Sequence, residues 1–262
     1  MSAVETQPAP GAAPPARKPA RVWKFWGTCL WGVFIFAAMC IGQLVVVGID
    51  VVRSGGSIDL GAIVTSASSG TNIALSVMMG LPAVCLALWI AIRCARQSFA
   101  DYLALRGTSW TTVLFGIAAL IVLVGAWEVI AKLTGHESSP GFMVDVAKSA
   151  QAEGTVWLLV LALCVGAPLT EELLARGFLY RGWSETFLRP AGAIVLSALA
   201  WAAMHAQYYE PFLFGQVFTI GLLFGYLRYR SHSLWLTVLL HGLNNLAATV
   251  QTLLIANGVM SP

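Results

Sequence analysis

The sequence predicts an all-α fold, a polytopic bundle of about seven to eight transmembrane helices with its chemistry among the C-terminal ones. Three observations carry that expectation. Of 262 residues, 58% are hydrophobic and only 10% charged, against about 45–50% and about 25% in ordinary globular domains. Several of the apolar runs are long enough to cross a bilayer. The basic residues collect at alternate ends of those runs, as the positive-inside rule requires.

Taken in order, residues 1–20 are rich in Pro and Ala without hydrophobic periodicity and read as a disordered cytoplasmic tail. The first run, Trp23–Val47, is too long for a signal-peptide core and lacks a cleavage site, so it is expected to be retained as a helix. Further spans are expected at about 72–92, 109–131, 155–175, 191–206, 212–227 and 233–256. The fifth and sixth are short and joined by Tyr208-Tyr209-Glu210-Pro211, a turn at one membrane face. Asp59–Ser69 reads as a partial or interfacial helix, an eighth element, and 133–154 as an external loop with a short amphipathic helix.

Orientation follows from the basic residues. Arg17, Lys18, Arg21, Lys24, Arg93, Arg96, Arg106, Arg176, Arg181, Arg189, Arg228 and Arg230 fall on one side, leaving Arg53, Lys132 and Lys148 on the other. The N-terminus is therefore expected in the cytoplasm and the protein in the plasma or inner membrane. The net charge of +3 is not arranged as a basic, aromatic-studded face, which excludes nucleic-acid binding. Five isolated cysteines, without a CxxC pair, give neither a disulfide framework nor a thiolate metal site.

Ionisable side chains inside a bilayer cost about 2.5–3.5 kcal/mol each on insertion scales, so the few in the last four spans need a reason. Glu172 and Arg176 are four apart with the acid first, the favoured helical ion pair. Glu171 is turned about 100° away from Glu172, so it stays unpaired and free to act as a general base. A helix-end charge cluster would explain the same residues. Trp201 and His205 share a face of the fifth span, and His241 and Asn245 share a face of the seventh. Two converging donors suit a developing oxyanion, although interhelical hydrogen bonding uses the same residue types. Glu128, one turn before Lys132, is expected to pair with it.

Glu171-Glu172-xxx-Arg176, Trp201-xxx-His205 and His241-xxx-Asn245, in that order, resemble the CPBP intramembrane endopeptidases, the CAAX-protease and bacteriocin-processing or Abi family. The resemblance covers roughly 155–250 and departs in one place, with Trp201 standing where Phe is usual. It divides the chain into a tail (1–20), N-terminal helices with an external loop (21–154) and a catalytic core (155–257). It implies peptide-bond cleavage near the cytoplasmic face, with Glu171 as base assisted by His205, and His241 and Asn245 as oxyanion donors. Glu172 and Arg176 would be a supporting pair.

No cofactor is favoured. If zinc is bound, Glu171, His205 and His241 would be its ligands. The expected partner is a membrane-embedded or lipidated protein or peptide. Two other readings stay open: a non-catalytic immunity or scaffold protein, and a proton-coupled transporter relaying through Glu171 and His205.

Overall fold

The computed structural model describes residues 21–53, 59–136, 141–205 and 210–260. The expected tail at 1–20, Tyr208 and Tyr209 of the expected turn, and Pro140 of the expected external loop lie outside these. Among the described residues the chain is helical without strands. The helices are α1 (Phe25–Arg53), α2 (Leu60–Ser68), α3 (Gly70–Cys94), α4 (Phe99–Leu103), α5 (Trp110–Thr134) and α6 (Gly141–Ala152). They continue as α7 (Val156–Ser184), α8 (Arg189–Ala203), α9 (Pro211–Ser231) and α10 (Leu234–Ala256).

Six of these, α1, α3, α5, α7, α9 and α10, are long and apolar enough to cross a membrane. The fifth expected span, over 191–206, is the one that falls short. With 15 residues, α8 extends about 22 Å, less than a hydrocarbon core of about 30 Å. The partial helix expected over Asp59–Ser69 is α2, capped by the Asp59 side chain accepting from the Ala62 amide at 2.8 Å. The segment between α5 and α7, expected as an external loop, carries the 12-residue α6. Glu128 and Lys132, by contrast, form no ion pair among the described residues.

Contacts sort the helix ends into two groups. At one end the Arg21 amide donates to the Ala95 carbonyl (3.1 Å), and the Leu234 amide to Ala104 (3.0 Å). At the other, the Asp50 carboxylate accepts from Ser66 (2.6 Å) and Asn72 (2.9 Å), while Glu153 accepts from Ser149 at 2.8 Å and from Thr71. Arg21, Lys24, Arg93, Arg96 and Arg106 belong to the first end, with Arg181, Arg189, Arg228 and Arg230. Arg53 and Lys148 lie at the second.

The centre of the bundle is α7. More than half of its best apolar window (56%) is shielded from the surroundings, against 17–39% for the other five spans. Leu173, Leu174 and Phe178 pack with Ile35, Leu88, Tyr102 and Leu103 of α1, α3 and α4. Ala175 joins Leu120, Trp201, Ile220, Phe224, Leu236 and Leu240 of α5, α8, α9 and α10. Leu159 and Ala162 pack with Ala74, Val146 and Ala150 of α3 and α6. The stretch Leu173–Leu179 of α7 is thus held from every side, whereas Trp157, Leu161 and Val165 face outward.

Candidate active site

α7 is not a regular helix. Two stretches, Ala162–Gly166 and Leu173–Leu179, are wound as π turns on either side of the α-helical Ala167–Glu172. Pro168 supplies part of the reason. Lacking an N–H and crowding the carbonyl four residues back, it cannot continue the ladder to Cys164, and π turns absorb such defects, often at functional sites. Two freed carbonyls face α10. The Leu163 carbonyl accepts from Asn245 Nδ2 at 2.9 Å. A Cβ at Gly242 would lie 2.8 Å from the Cys164 carbonyl oxygen, so only glycine allows this approach.

The short straight segment between the π turns carries the two adjacent acids in opposite surroundings. Glu172 is fully buried; its Oε1 accepts from Arg176 Nη1 at 2.8 Å and from His241 Nδ1 at 3.0 Å. Arg176, equally buried, also donates from Nη2 to the Gly221 carbonyl at 3.1 Å. Its guanidinium lies 4.4 Å from the Trp201 ring centroid and 5.6 Å from that of Phe224. A charge taken out of water needs such dense pairing.

Glu171 is turned away from Glu172 to the other edge of the His241 ring and keeps 15% of its side chain accessible, as does His205 at 16%. Its Oε2 accepts from the Trp201 indole N–H at 2.6 Å. The same oxygen lies 3.8 Å from His205 Nε2 and 3.9 Å from His241 Nε2. Hydrogen-bond partners fix the histidine protons. His205 Nδ1 lies 3.0 Å from the Trp201 carbonyl, which can only accept, so Nδ1 is the donor. His241 Nδ1 faces a carboxylate and donates likewise. In the neutral rings both Nε2 atoms therefore carry lone pairs. Two imidazole nitrogens and one carboxylate oxygen thus converge at distances too long for direct hydrogen bonds to one another.

The expected site residues thus divide. Glu171, His205 and His241 come together, and Glu172 with Arg176 forms the ion pair that the i, i+4 spacing predicts. His241 touches both acids. Asn245 stands one turn above His241 but commits one amide hydrogen to Leu163, leaving its second for another acceptor. The residue missed by sequence reasoning is Trp201. Its ring meets His205 (5.0 Å) and His241 (5.2 Å) edge-on, between centroids, as well as Arg176 and Glu171. Its departure from the usual Phe was the available signal.

Depth follows from counting residues. His241 is seven residues beyond Leu234 and Glu171 thirteen before Ser184, which sets the site about 10–20 Å in from the arginine-rich end.

Residues 153–247 match the family described as type II CAAX prenyl endopeptidase, Rce1-like. A relative from Escherichia coli, described as an uncharacterized 24.3 kDa protein, is 35% identical over 126 residues, 47% of this chain and 56% of the relative. The chain thus spans just over half the length of that relative. No solved structure matches. The matched segment begins just before α7 and ends two residues after Asn245, so it includes every group of the site. Through that segment, about a third of the chain, the protein is similar to the CAAX prenyl endopeptidase family.

Proposed function

We propose that this protein is an intramembrane endopeptidase that hydrolyses peptide bonds of membrane-associated or lipidated proteins, with its catalytic residues in 155–257. The observation that carries the proposal is the convergence of His205 Nε2 and His241 Nε2 on Glu171 Oε2 at 3.8 and 3.9 Å. A water held between Glu171 and His205 loses a proton to the carboxylate as its oxygen attacks the scissile carbonyl. The proton then passes to the leaving amine.

The oxyanion that forms needs donors. Asn245 offers its second amide hydrogen. His241 can donate from Nε2 only as an imidazolium, because its other N–H already goes to Glu172. That state suits the charges. Glu171 and Glu172 contribute −2 and Arg176 with a protonated His241 +2, so the buried group is neutral. A tetrahedral oxyanion then replaces the charge that the protonated Glu171 has given up.

The donors also suit zinc chemically, since each histidine presents Nε2 while Nδ1 is anchored to a carbonyl or a carboxylate, as metal-ligating histidines commonly are. Glu171, His205 and His241 would hold the ion, which would supply a polarised water. Tetrahedral zinc sets its ligand atoms about 3.3 Å apart, closer than these three, and no group of three such side chains among the described residues closes on a metal position. The mechanism here rests on the chain's own groups.

The arginine-rich end is assigned to the cytoplasm. Substrate would enter from that side or laterally, and must reach 10–20 Å into the bundle (about half a bilayer). The test is comparison of peptide termini in membranes carrying the wild type or Glu171→Gln. Termini made by the wild type alone are expected. Identical termini would sink the peptidase reading, and pH-dependent solute flux in proteoliposomes without new termini would favour a transporter.

A further inference from the structure

We infer that Trp201 is a positioning residue, whose indole N–H orients the Glu171 carboxylate and whose main-chain carbonyl orients the His205 ring. The inference rests on the peptidase reading above and concerns how that site is set.

One residue of α8 makes both orienting bonds. The indole Nε1–H donates to Glu171 Oε2 at 2.6 Å, a charge-assisted bond at the short end of the range. Trp201 is buried, with 3% of its surface accessible, so water does not replace this donor. The Trp201 carbonyl accepts from His205 Nδ1 at 3.0 Å, which leaves the Nε2 lone pair facing the same carboxylate oxygen. The two groups proposed to activate water are therefore indexed to a single residue, one through its side chain and one through its backbone.

The ring itself is clamped. Arg176 lies over its face at 4.4 Å, and His205 and His241 approach nearly perpendicular, at interplanar angles of 69° and 81°. A Cβ at Gly221 would sit 3.1 Å from Trp201 Cε3, so α9 closes the remaining side. The charged and titratable groups facing Glu171 are Glu172 and Arg176 of its own helix, His205 beside α8 and His241 of α10. None of these takes the place of the indole donor. Both histidine nitrogens that face the carboxylate stand beyond hydrogen-bond distance, so Trp201 is its one short contact among the described groups.

Phenylalanine, the usual residue here, would fill the ring's place against Arg176 and the histidines and leave Glu171 without this bond. The tryptophan does what phenylalanine cannot. It takes one lone pair of Oε2 and points the remaining one toward the histidines, where the attacking water must lie. A carboxylate free to rotate would meet that water in the wrong orientation for much of the time.

The experiment replaces Trp201 by β-(3-benzothienyl)alanine, in which sulfur takes the place of the indole N–H at nearly the same shape, alongside Trp201→Phe and Glu171→Gln. Each full-length protein is purified, its thermal melting recorded, and its turnover measured on the peptide identified from wild-type-dependent termini. The expected result is a fall in kcat of at least about tenfold in both Trp201 variants, with KM within about twofold and melting preserved in the benzothienyl protein. A purely structural tryptophan would leave kcat of the benzothienyl variant unchanged, and that result overturns the inference. If no wild-type-dependent terminus exists, the peptidase reading itself has failed; if Glu171→Gln cleaves as the wild type does, Glu171 is not the base; in either case Trp201 positions nothing.

Discussion

The bundle holds two polar clusters, a partly exposed one at the expected outer end, away from the arginines, and a buried one in the middle, and they satisfy their acids differently. At the outer end Asp50 is met by Ser66 and Asn72, and Glu153 by Ser69, Thr71 and Ser149. Every partner is a neutral donor close enough to bond, and α1, α2, α3 and α6 are tied together as a result. In the middle, Glu172 is met by a cation and a histidine, whereas Glu171 faces two ring nitrogens that stop short of it. A cluster whose bonds are all made is a latch. The proposed chemistry needs the other arrangement, in which a carboxylate and two ring nitrogens converge without bonding one another.

The sharpest break in that comparison is Glu171→Gln. Cleavage should fall by about 10²–10⁴-fold, the usual contribution of a general base, while the melting temperature of the purified protein stays close to wild type. Next in size is Arg176→Met. It strands the Glu172 carboxylate at zero exposure, which should destabilise the protein by about 3–5 kcal/mol, seen as early unfolding in a detergent melt. Asn72→Leu acts on the other cluster. It removes donations to Asp50 Oδ2 (2.9 Å) and to the Ser66 carbonyl (3.0 Å), so stability should drop by about 1–3 kcal/mol with turnover per folded molecule unchanged. Loss of turnover there would show that the clusters are coupled after all.

The smallest effect is a pH dependence at the outer end. Burial works to raise the Glu153 carboxyl, but donations from Thr71, Ser149 and Ser69 prevail and hold it below its ordinary 4.5. A carboxyl depressed on folding contributes stability that is present above its unfolded value and lost as pH falls through its folded one. Melting temperature should therefore decline below about pH 4.5, and less steeply in Glu153→Gln.

The two clusters were not equally legible in the sequence. Glu172 with Arg176 could be read from spacing alone, since both sit on a helix and four residues make one turn. Trp201 and His205 on one face followed from the same count. What spacing cannot convey is contact between helices: that His241 reaches Glu172 as well as Glu171, that Asn245 gives a hydrogen to Leu163, and that the indole N–H ends on a carboxylate. The shortness of α8 was legible, since the fifth apolar run is itself brief, and only its end was misplaced, at 206 where the helix stops at Ala203. The outer cluster was missed altogether. Serines, threonines and an asparagine at helix ends look like ordinary caps until the helices that share them are seen together.

The π turn at Leu173–Leu179 makes the site a matter of counting as much as of identity. A π turn accommodates one residue more than an α turn does, so the helix behind it runs out of step with the helix ahead. Wind the same residues as α and each position behind the turn is carried about one residue further round. Phe178, Leu179 and Trp183, which dock on α1 and α4, would then swing by about 100° relative to Glu171 and Glu172. The acids and their anchorage could no longer both be seated. Along this stretch a change of side chain alters one contact, whereas a change of winding shifts the frame in which all the others are read.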